Sequence, residues 1–217
     1  MRGLGRTLAL LAAAVALAAA GHAAAQAPAP AAGFVALPDD EAMGNPRAKV
    51  TVVEYASASC PHCARFNNNV FPAFKAKYVD TGKVRYVLRE FLTEPVQVAA
   101  AGFLLARCAG KGRYFATLDD FFHGQEEMYR SGSALPLIDS VGAKAGLTPA
   151  QIEACLSDQA AQLALNARVQ RNQGQDSVTS TPTFVVNGQK LPELDHEVGL
   201  ADLDAALEPA LAKTGRR

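Results

Sequence analysis

The chain has 217 residues, a length that suits one domain with an insertion or two small domains. Its 21 lysines and arginines balance 21 aspartates and glutamates, which excludes the strong basic charge that binds nucleic acid or an anionic membrane. Four cysteines and 19% charged residues exclude a small disulfide-dependent scaffold, a disordered chain and a multispan membrane protein.

The first 25 residues have the three parts of a secretory signal peptide. Arg2 and Arg6 form a basic end, residues 7–20 form an apolar run, and small residues precede an expected cleavage near Ala25-Gln26. The apolar run is shorter than the roughly 18–20 residues of a membrane-spanning helix, which favours a cleaved signal over an uncleaved anchor. The mature chain, with a net charge of −2, is therefore expected in a compartment where disulfides persist.

The part of the chain up to residue 95 predicts a tether followed by a β-α-β unit. Residues 26–41 begin as an Ala/Pro-rich stretch, which is typical of a flexible tether. Within residues 42–95 the predicted elements are a strand at 50–55, buried on both faces, a helix at 61–79, bent at Pro72, and a strand at 84–91. A right-handed parallel crossover is the default for this order of elements.

Residues 96–174 carry helical patterns and no convincing strand, which predicts an inserted all-helical block. Its helices are expected at 96–109, 114–129, 135–145, 149–157 and 159–173. The best-marked start is at Thr148, which can cap a helix that has Pro149 in its first turn and Gln151 in a capping box.

Residues 175–213 predict a return to the sheet. The expected elements are a strand at 183–186, a hairpin turn at Asn187-Gly188, a returning strand at 189–191 and a helix at 200–213. Residues 214–217 are expected to form a tail. The predicted order of elements in the mature chain is therefore β-α-β, then the helical block, then β-β-α.

The candidate reactive centre is Cys60-Pro61-His62-Cys63, at the junction of the first strand and the first long helix, where a C-x-x-C is typical of redox-active pairs. Unpaired backbone N–H groups and the helix dipole stabilise an anion at this position, so Cys60 is predicted to be an exposed thiolate of low pKa. Cys63, one turn into the helix, is expected to be more buried and to act as the resolving thiol. Pro61 suits the first helical turn, and His62 is expected to lower the Cys60 pKa further by placing a charge or a donor beside the sulfur.

Other uses of this motif are weaker fits. A zinc site needs about four ligands, and Cys108 and Cys155 each stand alone in the sequence. Haem attachment requires histidine directly after the second cysteine, where this chain has Ala64. A purely structural disulfide in a four-residue loop stays open.

Two further positions stand near the motif in the predicted fold. Glu54 lies six residues before Cys60 in a strand that looks buried. A buried carboxyl has a raised pKa and could accept the Cys63 proton, whereas an edge-strand glutamate would face water. Thr181-Pro182 opens the late strand, where proline is tolerated because the ladder needs no N–H there, and an X-Pro bond of this kind is usually trans.

The order of these features resembles the thioredoxin fold with an inserted helical domain, the arrangement of DsbA-like periplasmic thiol-disulfide oxidoreductases. The Cys-Pro-His-Cys motif is similar to the DsbA active site, and the resemblance covers about residues 42–213. It implies that Cys60 attacks, that Cys63 resolves, and that Pro182 is cis opposite the disulfide. It also implies that the backbone of Thr181 holds an extended substrate by strand addition.

Three positions refine the resemblance. Glu54 matches the buried acidic position of the fold. Ser59 stands where ordinary thioredoxins have tryptophan, which argues against a thioredoxin-like reductase. Thr181 precedes the proline where many DsbA oxidases have valine and disulfide isomerases often have threonine, so oxidase and isomerase both stay open.

Cys108 and Cys155 lie in two different predicted helices of the insertion. Two remaining cysteines in an oxidising compartment usually pair, so a structural Cys108–Cys155 disulfide is expected. Two buried thiols and a regulatory redox pair are the alternatives.

The resulting hypothesis is a periplasmic enzyme that donates the Cys60–Cys63 disulfide to unfolded or reduced secreted proteins. The resemblance implies a membrane reoxidant similar to DsbB, and the chemistry requires no metal or organic cofactor. A monomer is expected because only about 20 Ala/Pro-rich residues precede Gly44 in the mature chain, too few for a dimerisation domain. The alternatives are an isomerase or reductase kept in its dithiol form by a membrane reductant, a metal-binding C-x-x-C module and a chaperone.

Overall fold

The computed structural model describes residues 33–214. The predicted signal peptide, the first part of the predicted tether and the last residues of the predicted tail lie outside this range. None of the helices within residues 33–214 is both long and apolar enough to cross a membrane.

A five-stranded sheet forms the centre of the described chain. Its strands are β1 (Glu41–Gly44), β2 (Val50–Ala56), β3 (Val84–Glu90), β4 (Thr183–Val186) and β5 (Gln189–Lys190). Their order across the sheet is β1-β3-β2-β4-β5. Strands β2 and β3 run parallel, and the other neighbouring pairs are antiparallel. Every residue of β2 is buried, because the strand is central and both of its faces are covered.

Helices cover the sheet and form the block between β3 and β4. They are α1 (Pro61–Asn69), α2 (Phe71–Phe74), α3 (Val96–Cys108), α4 (Tyr114–Ser131), α5 (Leu135–Lys144), α6 (Pro149–Ser157), α7 (Gln159–Gln175) and α8 (Leu200–Thr214). Thr148 caps α6 and forms the predicted capping box with Gln151. The predicted class, a thioredoxin fold with an inserted helical block, is confirmed.

The helix predicted at 61–79 is interrupted rather than only bent. Helix α1 ends at Asn69, α2 is a single turn, and a π-helical turn follows at Lys75–Val79. Pro72 has no N–H for the carbonyl four residues earlier, and its ring crowds that carbonyl, so the regular ladder stops there. The π-turn has no signal in the apolar spacing of the sequence.

Strand β1 is absent from the predicted elements, and the end of the predicted tether is packed. Phe34 is 7% exposed and packs with Val53, Tyr55 and Val87 on the face of the sheet away from α1. The stretch before β1 therefore belongs to the folded body. A four-residue strand that pairs only with β3 leaves too short a pattern to recognise in the sequence.

The predicted hairpin turn lies where β4 meets β5. Asn187 and Gly188 have φ values of 48° and 82°, the left-handed pair of a tight hairpin turn. A Cβ at Gly188 would lie 2.1 Å from the carbonyl oxygen of Gly33, so glycine also permits the close approach of the segment before β1.

Two features tie the helical block together and to the sheet. Cys108 and Cys155 are joined by a disulfide between α3 and α6. Glu90, at the end of β3, is 1% exposed, and its carboxylate lies 2.5 Å from Nε of both Arg107 in α3 and Arg168 in α7. This buried ion triad holds the block against the strand that precedes it.

Candidate active site

Cys60 is the N-cap residue of α1, and a short loop connects it to the end of β2. Its backbone is extended and its carbonyl oxygen accepts from the backbone N–H of Ala64, so the sulfur lies at the N-terminus of the helix. Pro61 occupies the first helical position, where the missing N–H costs no hydrogen bond. Cys60 and Cys63 are both free thiols in the structure.

The two thiols have opposite electrostatic environments. A hydrogen bond from the Cys63 thiol lowers the pKa of Cys60 to about 5 against the opposing effect of burial, with further help from the side chain of Thr181 and the backbone N–H groups of Cys63 and His62. Burial raises the pKa of the Cys63 thiol well above its usual value, and the Cys60 and Glu54 charges add to the effect. One sulfur of the pair is therefore a thiolate at neutral pH and the other a thiol.

The predicted exposure of Cys60 is wrong. Cys60 is only 5% exposed and Cys63 is fully buried. The loop before β4 covers the first sulfur, and the Cys60 Sγ lies 3.3 Å from the carbonyl oxygen of Thr181. As a thiol, Cys60 donates to that carbonyl, whereas as a thiolate it is stabilised by the directed donors of Cys63 and His62 rather than by open water.

The Thr181–Pro182 peptide bond is cis, as the family resemblance implies. Strand β4 lies beside β2, with Phe184 opposite Glu54, and this pairing carries the Thr181-Pro182 segment to the N-terminus of α1. The backbone of Thr181 therefore lies next to the reactive sulfur, where an extended chain could pair with it.

Glu54 lies in the central strand and is 3% exposed, so the alternative of an edge-strand glutamate facing water does not hold. The hydroxyl of Tyr86 donates to its carboxylate. Burial raises the pKa of Glu54 to about 8, and the negative charge of Cys60 contributes further. Glu54 and the two thiols raise or lower one another's pKa values, so they form one electrostatically coupled group.

His62 differs from the prediction. Its contribution to the low Cys60 pKa comes from its backbone N–H. The imidazole is 60% exposed, and its Nδ1 lies 3.0 Å from Oε1 of Glu197, in the segment before α8. A carboxylate 135 residues further along the chain competes for the ring, and sequence spacing carries no sign of that.

Residues from the helical block hold the loop before Cys60. Gln125 Nε2 donates to the carbonyl oxygen of Ala58, and the Tyr129 hydroxyl donates to that of Ser59, both at 2.5 Å. Gly102 allows α3 to pack against the same loop, because a Cβ there would lie 2.5 Å from that of Ala58. Gln125 and Tyr129 have no signal in the sequence as site residues, because only the docking of α4 brings them to the site.

A cleft of about 910 Å³ opens beside His62 and Thr181, the neighbours of the reactive sulfur. Its walls come from α1, from the segment around Pro182 and from residues 190–199 between β5 and α8. Within residues 33–214, no group of three or more His, Cys, Asp or Glu side chains is placed to hold a metal ion.

Comparison with known proteins gives a consistent result. A family model described as thioredoxin matches residues 37–208. A Rickettsia bellii relative named as a protein-disulfide oxidoreductase is 34% identical over 176 residues, which cover 81% of this chain and 67% of the relative. A Rickettsia conorii relative of the same name is 33% identical, and the match covers 78% of this chain and 61% of the relative. The chain thus spans about two thirds or less of the length of these relatives.

Solved structures also resemble the chain. The crystal structure of Wolbachia pipientis α-DsbA1 has a TM-score of 0.72 and 26% identity, over 83% of this chain and 94% of that one. Bacillus subtilis BdbD in its oxidised form has a TM-score of 0.69 over 84% of this chain and 98% of that one, and its 17% identity makes it a comparison of folds alone. The family and the fold agree with the geometry of the Cys60–Cys63 site.

Proposed function

The chain belongs to the DsbA-like protein-disulfide oxidoreductases of the thioredoxin superfamily, and from this premise we propose that it oxidises secreted proteins in the periplasm through Cys60 and Cys63. The observation that carries the proposal is the asymmetry of the two thiols. The pKa of Cys60 is lowered to about 5, whereas the pKa of Cys63 is raised well above its usual value. A thiolate that stable is a good leaving group, and its stability favours the dithiol product of oxidation.

The reaction follows from this asymmetry. A substrate thiolate attacks Sγ of Cys60 in the disulfide form, the Cys60–Cys63 bond breaks, and a mixed disulfide forms through Cys60. Cys63 leaves as a buried thiolate and takes a proton, which the neutral carboxyl of Glu54 can supply because its pKa is raised to about 8. A second substrate thiolate then attacks the substrate sulfur, and Cys60 leaves as the stabilised thiolate. Two electrons pass from two substrate thiols to the cysteine pair.

The substrate would be held mainly through its backbone. Thr181 and Pro182 are half-buried, the Thr181 carbonyl oxygen lies 3.3 Å from the Cys60 sulfur, and strand addition at this backbone would read little side-chain sequence. We therefore propose many unfolded or reduced secreted substrates rather than one. We further propose a monomer without a resident cofactor, reoxidised by a membrane partner similar to DsbB.

The test is oxidative folding of a reduced, multi-disulfide model protein by the disulfide form of the enzyme. Cys60→Ser abolishes oxidation, whereas Cys63→Ser accumulates a mixed disulfide that reductant releases. A matched control removes the other cysteine pair by the double substitution Cys108→Ala and Cys155→Ala, and keeps the oxidation rate. Oxidation that survives Cys60→Ser would overturn the proposal.

An isomerase is the second candidate because Thr181 precedes the cis-proline. The same protein, in its dithiol form, is tested on a model substrate with scrambled disulfides. Isomerisation faster than oxidation, and lost in Thr181→Val, would replace the oxidase by an isomerase. Oxidation faster than isomerisation supports the oxidase.

A further inference from the structure

One carboxylate is bound by two side chains of the active-site helix. Glu197 lies between β5 and α8, and its Oε1 is 3.0 Å from Nδ1 of His62 and 2.6 Å from Nε of Arg65. The Arg65 Nη2 atom is also 3.0 Å from the same His62 Nδ1. The three side chains form a closed triangle on the cleft wall, next to the first two turns of α1.

The imidazole cannot satisfy both partners at once. With a proton on Nδ1 it donates to Glu197, and without that proton it accepts from Arg65, which then bonds to both other members. Glu197 takes part in the triangle in either state. The Glu197 carboxylate therefore helps to orient the imidazole ring of His62, and its negative charge partly neutralises the guanidinium group of Arg65.

Arg65 lies in the second turn of α1, whose N-cap residue is Cys60, and the charge of the reactive sulfur acts on it. Glu197 has the largest effect on the raised pKa of Arg65, and the negative charge of Cys60 adds to it. Attraction between two charges is mutual, so an unbalanced cation at Arg65 would stabilise the Cys60 thiolate. The paired Glu197 carboxylate offsets that cation and weakens the attraction.

We propose that Glu197 is a positioning residue that holds His62 and Arg65, offsets the positive charge of Arg65 and so limits the oxidising strength of the Cys60–Cys63 pair. The inference deepens the proposed function and rests on it. All three side chains are about half exposed, so solvent and salt screen the effect. The expected change is therefore about two- to fivefold in the redox equilibrium constant.

Glu197→Gln tests the proposal because it keeps the size of the side chain and removes its charge. Two quantities are measured on the purified protein: the Cys60 thiolate absorbance as a function of pH, and the equilibrium of the disulfide with glutathione. The variant lowers the thiolate pKa and shifts the equilibrium about two- to fivefold toward the dithiol at low salt, and about 1 M salt removes the shift. A structural role alone would change neither quantity.

Glu193→Gln is the matched control. Glu193 is an exposed acid on the same segment and the same cleft, and it forms no ion pair among residues 33–214. It is expected to change neither the thiolate titration nor the glutathione equilibrium. An equal shift in Glu193→Gln, a shift that persists in high salt, or no shift in Glu197→Gln would overturn the inference.

Failure of this inference is distinct from failure of the proposed function. Both measurements report on the cysteine couple itself, in whichever direction it works in the cell. If Glu197→Gln matches the parent protein while oxidative folding still depends on Cys60, only the positioning role is refuted. If the parent protein lacks that dependence on Cys60, the proposed oxidase is refuted instead.

Discussion

Glu54→Gln changes the pH dependence of stability by removing a buried group that titrates. Folding raises the pKa of this carboxyl from 4.5 to about 8, chiefly through burial. The folded state thus binds a proton at Glu54 that the unfolded state has lost between these two pH values, so the contribution of Glu54 to stability is lost as pH rises from 4.5 through 8. The loss between pH 5 and pH 8 amounts to about 3.5 kcal/mol, from ~1.4 kcal/mol for each pH unit.

The assay is urea unfolding of the parent and Glu54→Gln proteins in the dithiol form at a series of pH values. Glutamine keeps an acceptor for the Tyr86 hydroxyl and cannot ionise. The titration of Cys60 occurs in both proteins and largely drops out of the difference. The stability of the variant relative to the parent is expected to rise steadily from pH 5 to pH 8. A difference that stays flat over this interval would refute a raised pKa at Glu54.

Two further predictions concern the structural parts of the molecule. Replacing Cys108 and Cys155 by alanine opens a loop of 47 residues and lowers the free energy of unfolding by about 4 kcal/mol in urea, with the reduction potential of the active pair unchanged. A stability loss below about 1 kcal/mol would contradict that disulfide's role. Arg168→Met leaves the buried carboxylate of Glu90 with Arg107 as its one cation and lowers the free energy of unfolding by about 3 kcal/mol in the same assay. A variant as stable as the parent would show that the triad does not hold the helical block.

Local signals explain most of what the sequence predicts correctly. The apolar spacing of the helices, the capping box at Thr148 and the Asn187-Gly188 turn each act within a few residues, and the structure has all three. The run of apolar residues around Glu54 is likewise local, and it correctly predicts a buried strand. The order of these elements then leads to the correct fold class.

Tertiary contacts determine what the sequence does not reveal. The exposure of Cys60 depends on the segment at Thr181, and the direction of the His62 ring depends on Glu197. Tyr129 reaches the backbone of Ser59 only because α4 docks beside the strand-to-helix junction. Each partner lies 70 or more residues from the residue that it contacts, so no spacing rule applies to it.

The reduction potential of the Cys60–Cys63 pair tests the central claim most directly. With the pKa of Cys60 at about 5, the thiolate favours the dithiol at pH 7 by ~2.7 kcal/mol, which corresponds to about 60 mV. Equilibration against glutathione is therefore expected to give a potential at least ~50 mV above the roughly −270 mV of thioredoxin, whose thiol pKa is about 7. A potential at or below that of thioredoxin would contradict a disulfide donor and favour a reductase or isomerase that works in its dithiol form.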